Sequence, residues 1–134
     1  MISLVLDASV AVELFLRGRE PDPALRRRVL TGSAAAPELL DLEVCSVVRK
    51  MVIRKQISVA EATEALRDIR DSPVMRVAHR HLVNRVWELR DNITAYDASY
   101  VALAEVVDAP LITCDARMSR SSGHTATIEV YPSS

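Results

Sequence analysis

Near each end of this 134-residue chain a short apolar run stops at an acid. Ile2 to Leu6 precede Asp7, and Leu111, Ile112 and Thr113 precede Asp115. Runs this short and this apolar predict strands buried on both faces, as in parallel sheets. Parallel neighbours need long crossover connections, usually helical. Helical patterns do fill the interval, so the chain predicts an α/β sandwich with a central, mainly parallel sheet. Ligands in such sheets bind beyond the C-terminal ends of the strands. Both acids fall there.

The stretch Thr94 to Asp115 adds a third acid to that edge. Thr94 can cap a helix in which Asp97 is followed at helical spacing by Tyr100, Val101 and Ala104, so Asp97 lies on a largely apolar face. Glu105 and Asp108 read as the solvated side, and Pro110 ends the helix region. Each acid also has a purely structural reading. Thr94-x-x-Asp97 resembles a capping box, and Asp7 and Asp115 can be turn or N-cap residues. A site requires that the acids converge.

The length suits one domain, residues 1–134. Aromatics make up only 4% of the residues, so the core must be aliphatic. The net charge of −1 supplies no global basic field, so any nucleic-acid contact must come from a local patch. Cys45 and Cys114 are isolated in apolar segments and read as buried thiols. The start, MISLVLDASV, has no basic region before its apolar run and reads as a strand. No apolar run approaches membrane-spanning length, which predicts a soluble cytoplasmic protein.

Between the two strand–acid units, Ser9 can open a helix carrying Val10, Val12, Glu13, Leu14 and Leu16. A loop, Arg17 to Pro23, leads to a short helix, Ala24 to Leu30, bearing Arg26, Arg27 and Arg28. With Arg17 and Arg19 these form the basic segment, read either as a solvated face or as a phosphate-contacting patch. Ser33 to Ala36 is a strand candidate. Pro37 is expected to begin a helix reaching about Lys55, striped by Leu40, Val44, Val47 and Met51, with Asp41 and Glu43 flanking the stripe on opposite edges. Ser58-x-x-Glu61 is a capping box for a helix ending near Arg70, before Asp71, Ser72 and Pro73. Val74 to Val77 can be a strand. His79 to Arg90 reads as a helix with Leu82, Val83, Val86 and Leu89 inward and Trp87 packed. His79 and His81 read as surface residues. Thr127 to Val130 can be a final strand.

If these elements converge, Asp7, Asp97, Asp115 and either Asp41 or Glu43 crowd one pocket. Like charges that close raise one another's pKa, and a hard divalent cation with oxygen ligands relieves the conflict. No Cys or His ligand set supports zinc, and no GxxxxGK[ST] supports a P-loop. A serine triad lacks a His partner at a strand end. An Asp-nucleophile phosphatase would need a second acid where Ser9 stands, and a receiver domain would need a Lys beyond Lys55.

Four features together resemble a PIN domain, and more narrowly a VapC-type toxin ribonuclease of a type II toxin–antitoxin system. They are LVLDASV, PELLDLEVCSVVRK, AYDASYVALAEVVDAPLITCD, and the size and order of elements. The resemblance covers essentially the whole chain. It implies a PIN-like three-layer sandwich with four to five strands flanked by helices. It also implies a Mg²⁺-dependent endoribonuclease, with Mn²⁺ as a substitute. Carried over by motif, Asp7, Glu43, Asp97 and Asp115 are the catalytic acids, with Asp7, Asp97 and Asp115 as metal ligands. Ser9 and Thr113 match hydroxyl positions lining such sites. The resemblance prefers Glu43 to Asp41. It further implies an RNA substrate (tRNA, rRNA or mRNA), a VapB-type antitoxin and a homodimer. Arg17, Arg19, Arg26, Arg27 and Arg28 are candidate RNA or antitoxin contacts. The segment after Asp115 carries no further acid for the pocket; where the family uses one there, this chain lacks it or substitutes Ser119 or Asn92. A non-catalytic RNA- or partner-binding PIN-like module is the alternative.

Overall fold

Five short strands form one fully parallel sheet in the computed structural model, which describes residues Met1–Ser134. They are β1 (Leu4–Leu6), β2 (Ala34–Pro37), β3 (Met75–Val77), β4 (Leu111–Thr113) and β5 (Ile128–Val130), in the spatial order β3-β2-β1-β4-β5. The central strand β1 pairs Leu4 with Ala34 on one side and Leu6 with Ile112 on the other. Leu4, Val5, Leu6, Leu111 and Ile112 are fully buried, as runs apolar on both faces require.

Six helices cover the sheet: α1 (Ala8–Phe15), α2 (Pro23–Leu30), α3 (Leu40–Ile53), α4 (Val59–Arg70), α5 (Val83–Glu88) and α6 (Ala95–Val107). The chain steps from β1 outward to β2 and β3, then returns past β1 to β4. Right-handed crossovers therefore put the connections before and after that return on opposite faces. α1, α3 and α4 pack together, while α5 packs on α6, which lies against β1, β2 and β4. The direction of stepping reverses between β1 and β4, which opens a crevice at their C-terminal ends.

Several local expectations are met. Ser58 and Glu61 form the capping box of α4 through reciprocal bonds of 3.0 Å. His79 and His81 are exposed. Others are corrected. Pro37 closes β2 instead of opening α3, drawn into register with Val77 of β3 after the pairing of β2 with β1 has ended at Ala35. The buried seam of α3 is Leu40, Val44 and Val48, an i, i+4, i+8 row, and Val47 faces solvent. Cys45 is exposed and Cys114 half-buried. The segment read as one helix from His79 divides into a 3₁₀ turn at Arg80–Leu82 and the short α5. Val83 and Trp87 are exposed there, and the Arg90 guanidinium stacks 4.7 Å above the Trp87 ring. Glu105, expected on the wet side, is 13% exposed and ties α6 to α5 through a two-pronged bond to Arg85 of 2.9 and 3.0 Å.

Candidate active site

Asp7 is the first residue beyond β1 and the N-cap of α1. Its Oδ1 accepts the Val10 amide at 3.2 Å and the Ser9 hydroxyl at 2.6 Å, and its Oδ2 accepts the Thr113 hydroxyl. Ser9 Oγ in turn accepts the Cys114 amide at 2.9 Å, and Thr113 Oγ1 accepts the Asp115 amide at 2.9 Å. Two hydroxyls thus join the end of β4 to one carboxylate at the end of β1. The N-cap reading of Asp7 holds, and an N-cap at a strand end also aims its carboxylate at the sheet edge where a ligand would bind.

Glu43 reaches the same edge from the first turn of α3. Asp97 reaches it from the first turn of α6, because a helix leading into a parallel strand starts at the C-terminal edge of the sheet. Thr94 caps that helix by accepting the Asp97 amide at 3.4 Å, and the reciprocal half of the box is not formed. The positive ends of α1, α3 and α6 therefore face the acids and offset part of their charge.

The remaining cost appears in the electrostatics. Burial, opposed by bonds from Ser9, Thr113 and Val10, raises the Asp7 carboxyl above its ordinary value, with the Asp97 charge adding to it. Burial also raises Glu43, with Asp97 and Asp7 contributing, and raises Asp97, with Asp115 contributing. Asp115 behaves oppositely. It caps the 3₁₀ turn Ala116–Arg120, and the Arg117 guanidinium grips both its oxygens at 3.1 and 2.8 Å, which lowers its pKa. Arg117 also acts on Asp97.

Asp7, Glu43, Asp97 and Asp115 therefore sense one another at the switch point of the sheet. Asp41 does not join them. It is held by the Arg76 guanidinium at 3.0 and 2.8 Å toward β3, so the edge of α3 that carries Glu43 is the one facing the acids. Ser119 turns back to the Ala116 carbonyl, and Asn92 packs against Gly123. The donor set is all oxygen, anionic, and suits a hard divalent ion that keeps much of its water. The acids are not gathered tightly around one point: no three His, Cys, Asp or Glu side chains form a ready cage.

The basic segment is dispersed. Arg17 pairs with Glu64 at 2.6 Å. Arg19 binds Glu13 at 3.3 Å and the Ser134 carbonyl at 3.1 Å. α2 leads into β2, so its last turn lies at the opposite edge of the sheet from the acids. Arg28 pairs there with Glu129 at 3.4 Å, and Arg26 lines a cleft with Phe15, Val29 and Pro73. Arg27 lies in that same last turn. Two residues escaped sequence reasoning. Arg117 stands two positions after an expected acid, which was the available signal. Tyr100 was read only as part of an apolar helix face.

The PIN domain family model matches residues 4–123. Ribonuclease VapC12 of Mycobacterium tuberculosis is 40% identical over 127 residues, covering 95% of this chain and 98% of the relative. Among solved structures, the Mycobacterium tuberculosis toxin VapC20, described as cleaving the sarcin–ricin loop, superposes with a TM-score of 0.67 at 20% identity, covering 97% of this chain and 100% of the other. A chain of VapBC2 from Rickettsia felis, solved on a promoter DNA fragment, gives 0.64 at 13% identity over 97% and 99%. No helix of the chain is long and apolar enough to cross a membrane.

Proposed function

This chain belongs to the PIN domain family and, within it, to the VapC ribonucleases, and from that premise we propose that it is a divalent-metal-dependent endoribonuclease acting as the toxin of a toxin–antitoxin pair. The observation that carries this reading is the convergence of Asp7, Glu43, Asp97 and Asp115 at the β1/β4 switch point, where burial and mutual repulsion raise three of the four. A divalent cation would relieve the repulsion among charges held this close. Asp7, Asp97 and Asp115 would hold Mg²⁺ or Mn²⁺, with Glu43 acting beside them. When bound, the ion would supply Lewis acidity toward a phosphodiester and its attacking water.

The chain's own contribution is placement. Ser9 and Thr113 fix both oxygens of Asp7, so its direction is set before any ligand arrives. Arg117 brings the one guanidinium that acts on both Asp97 and Asp115, in place to pair with a phosphate. Cleavage would act on cytoplasmic RNA (tRNA, rRNA or mRNA) and would thereby inhibit translation and growth. A VapB-type antitoxin and self-association into a homodimer complete the assignment, the first supported by the likeness to the VapBC2 chain.

The test is incubation of purified protein with total RNA in Mg²⁺ or Mn²⁺ against EDTA, with Asp97→Asn in parallel. Discrete fragments that require metal and vanish in the folded variant are expected. Equal cutting by Asp97→Asn would overturn the assignment. RNA binding without cutting by folded, metal-loaded protein would favour a binding module.

A further inference from the structure

Tyr100 is 1% exposed, and its hydroxyl is the only buried side-chain oxygen or nitrogen without a hydrogen-bond partner. Buried polar groups in folded proteins are nearly always paired, so each exception calls for a cause. A phenylalanine would fill the same space between α6 and the sheet without the desolvation penalty. Tyr100 lies one turn beyond Asp97 on the same face of α6. Of the charged groups acting on its hydroxyl, Glu43 is the strongest, ahead of Asp7 and Asp97. Burial and these three acids hold the phenol protonated, so toward them it can only donate. Glu43 reaches the same place from α3, across the sheet edge, and its carboxyl and the Tyr100 hydroxyl act on each other.

We propose that Tyr100 is a positioning residue for Glu43. Its hydroxyl donates to the Glu43 carboxylate once the site engages its cation and substrate, and so fixes the direction from which Glu43 acts. The inference rests on the ribonuclease reading above. It gives the unpaired donor a partner, and it accounts for a hydroxyl at Tyr100 where a phenylalanine would fill the same space. Groups that orient active carboxylates without touching the ligand commonly matter by about 10- to 100-fold.

The experiment compares wild type, Tyr100→Phe, Glu43→Gln and the double variant, with Asp97→Asn as the inactive control. Thermal midpoints are measured without metal, Mn²⁺ affinity by calorimetry, and kcat and KM on RNA. Tyr100→Phe should keep or raise the midpoint, because it removes an unpaired buried hydroxyl. Its kcat should fall by about 10- to 100-fold with KM little changed. On the Glu43→Gln background the same substitution should cost nothing further. Wild-type kcat in Tyr100→Phe, or equal losses on both backgrounds, would overturn the proposal. If wild type itself cuts no RNA, the ribonuclease reading fails on its own account. A double-variant cycle in Mn²⁺ affinity then decides the contact: coupling between the two substitutions supports it, and strict additivity removes it.

Discussion

Thr113 and Asp7 stand 106 positions apart in the chain and share a hydrogen bond, Thr113 Oγ1 donating to Asp7 Oδ2. Ser9 does the same for Oδ1. Each hydroxyl also accepts an amide from the end of β4, so neither can turn away without stranding a second group. Thr113→Val keeps the side chain's shape and removes the donor from a carboxylate that is 9% exposed. It should cost about 1–3 kcal/mol in denaturant unfolding of metal-free protein. Ser9→Ala should cost a similar amount and also lower RNA cleavage. Both variants unfolding at the wild-type midpoint would mean that these bonds hold nothing.

The acid cluster should oppose folding when no cation is present. Burial and the neighbouring Asp115 charge both disfavour ionised Asp97. Asp97→Asn removes that charge and keeps the side chain's size. Metal-free Asp97→Asn should therefore be more stable than wild type, on the order of 1 kcal/mol, less a few tenths for the lost helix-terminus interaction. Saturating Mn²⁺ should reverse the order, because only the wild type gains the full binding contribution. Thermal melts with EDTA and with Mn²⁺ check both signs.

The pH dependence follows from the same groups. Asp7, Glu43 and Asp97 hold their protons more tightly in the folded state than their ordinary values of 3.8 and 4.5. Between the unfolded and folded values the native state binds more protons, so stability falls as pH rises. That contribution is whole below the ordinary values and lost above the raised ones. A cation competes with those protons. The upward shift in melting temperature on adding Mn²⁺ should therefore be larger at pH 7 than at pH 5. An equal shift at both would argue that the ion binds elsewhere.

Glu105 should act oppositely. Arg85, with help from the amide and hydroxyl of Thr125, holds its carboxyl down to about 2. Its contribution is present above the ordinary 4.5 and lost as pH falls toward 2. Glu105→Ala strands Arg85 and the Thr125 amide, and should cost about 2 kcal/mol at pH 7. Stability curves of the two proteins should converge as acid protonates the wild type. A constant gap down to pH 2 would show that packing, not charge, carries the loss.

The parts of this fold legible in the sequence were those fixed by local chemistry. Leu111 to Thr113 has no polar face, so it could only be buried, and Ser58 with Glu61 satisfies its own helix start. The misreadings came where tertiary context decided. Pro37 is an ordinary helix opener by local rules, yet the pairing of Ala36 with Arg76 and Pro37 with Val77 draws it into β2. Val47 and Val48 are equal by composition, and only the crossing of α3 over its neighbours chooses Val48. Glu105 looked solvated because its partners, Arg85 and Thr125, come from distant segments. The four acids were visible as residues at strand and helix ends. Their convergence depended on the reversal at β1; spacing left Asp41 and Glu43 open, the resemblance preferred Glu43, and the physical counterpart is the Arg76 grip on Asp41, which no spacing rule contains.

Arg117 gives the last prediction. Its fork occupies both oxygens of Asp115, the acid a cation would claim, while its own side chain remains 79% exposed. An exposed pair of this kind is weak, so a divalent ion can displace it. Binding must nevertheless offset that contact, since a carboxylate cannot offer the same lone pairs to both. Arg117→Ala should then tighten Mn²⁺ binding by up to about fivefold in calorimetry, the equivalent of that pair. It should also raise KM for RNA, because the released guanidinium is the cation best placed to meet a phosphate. Tighter metal with unchanged KM would make Arg117 a plain competitor of the ion. Unchanged metal affinity would show that Asp115 does not ligate it, leaving Asp7 and Asp97 as the ligands.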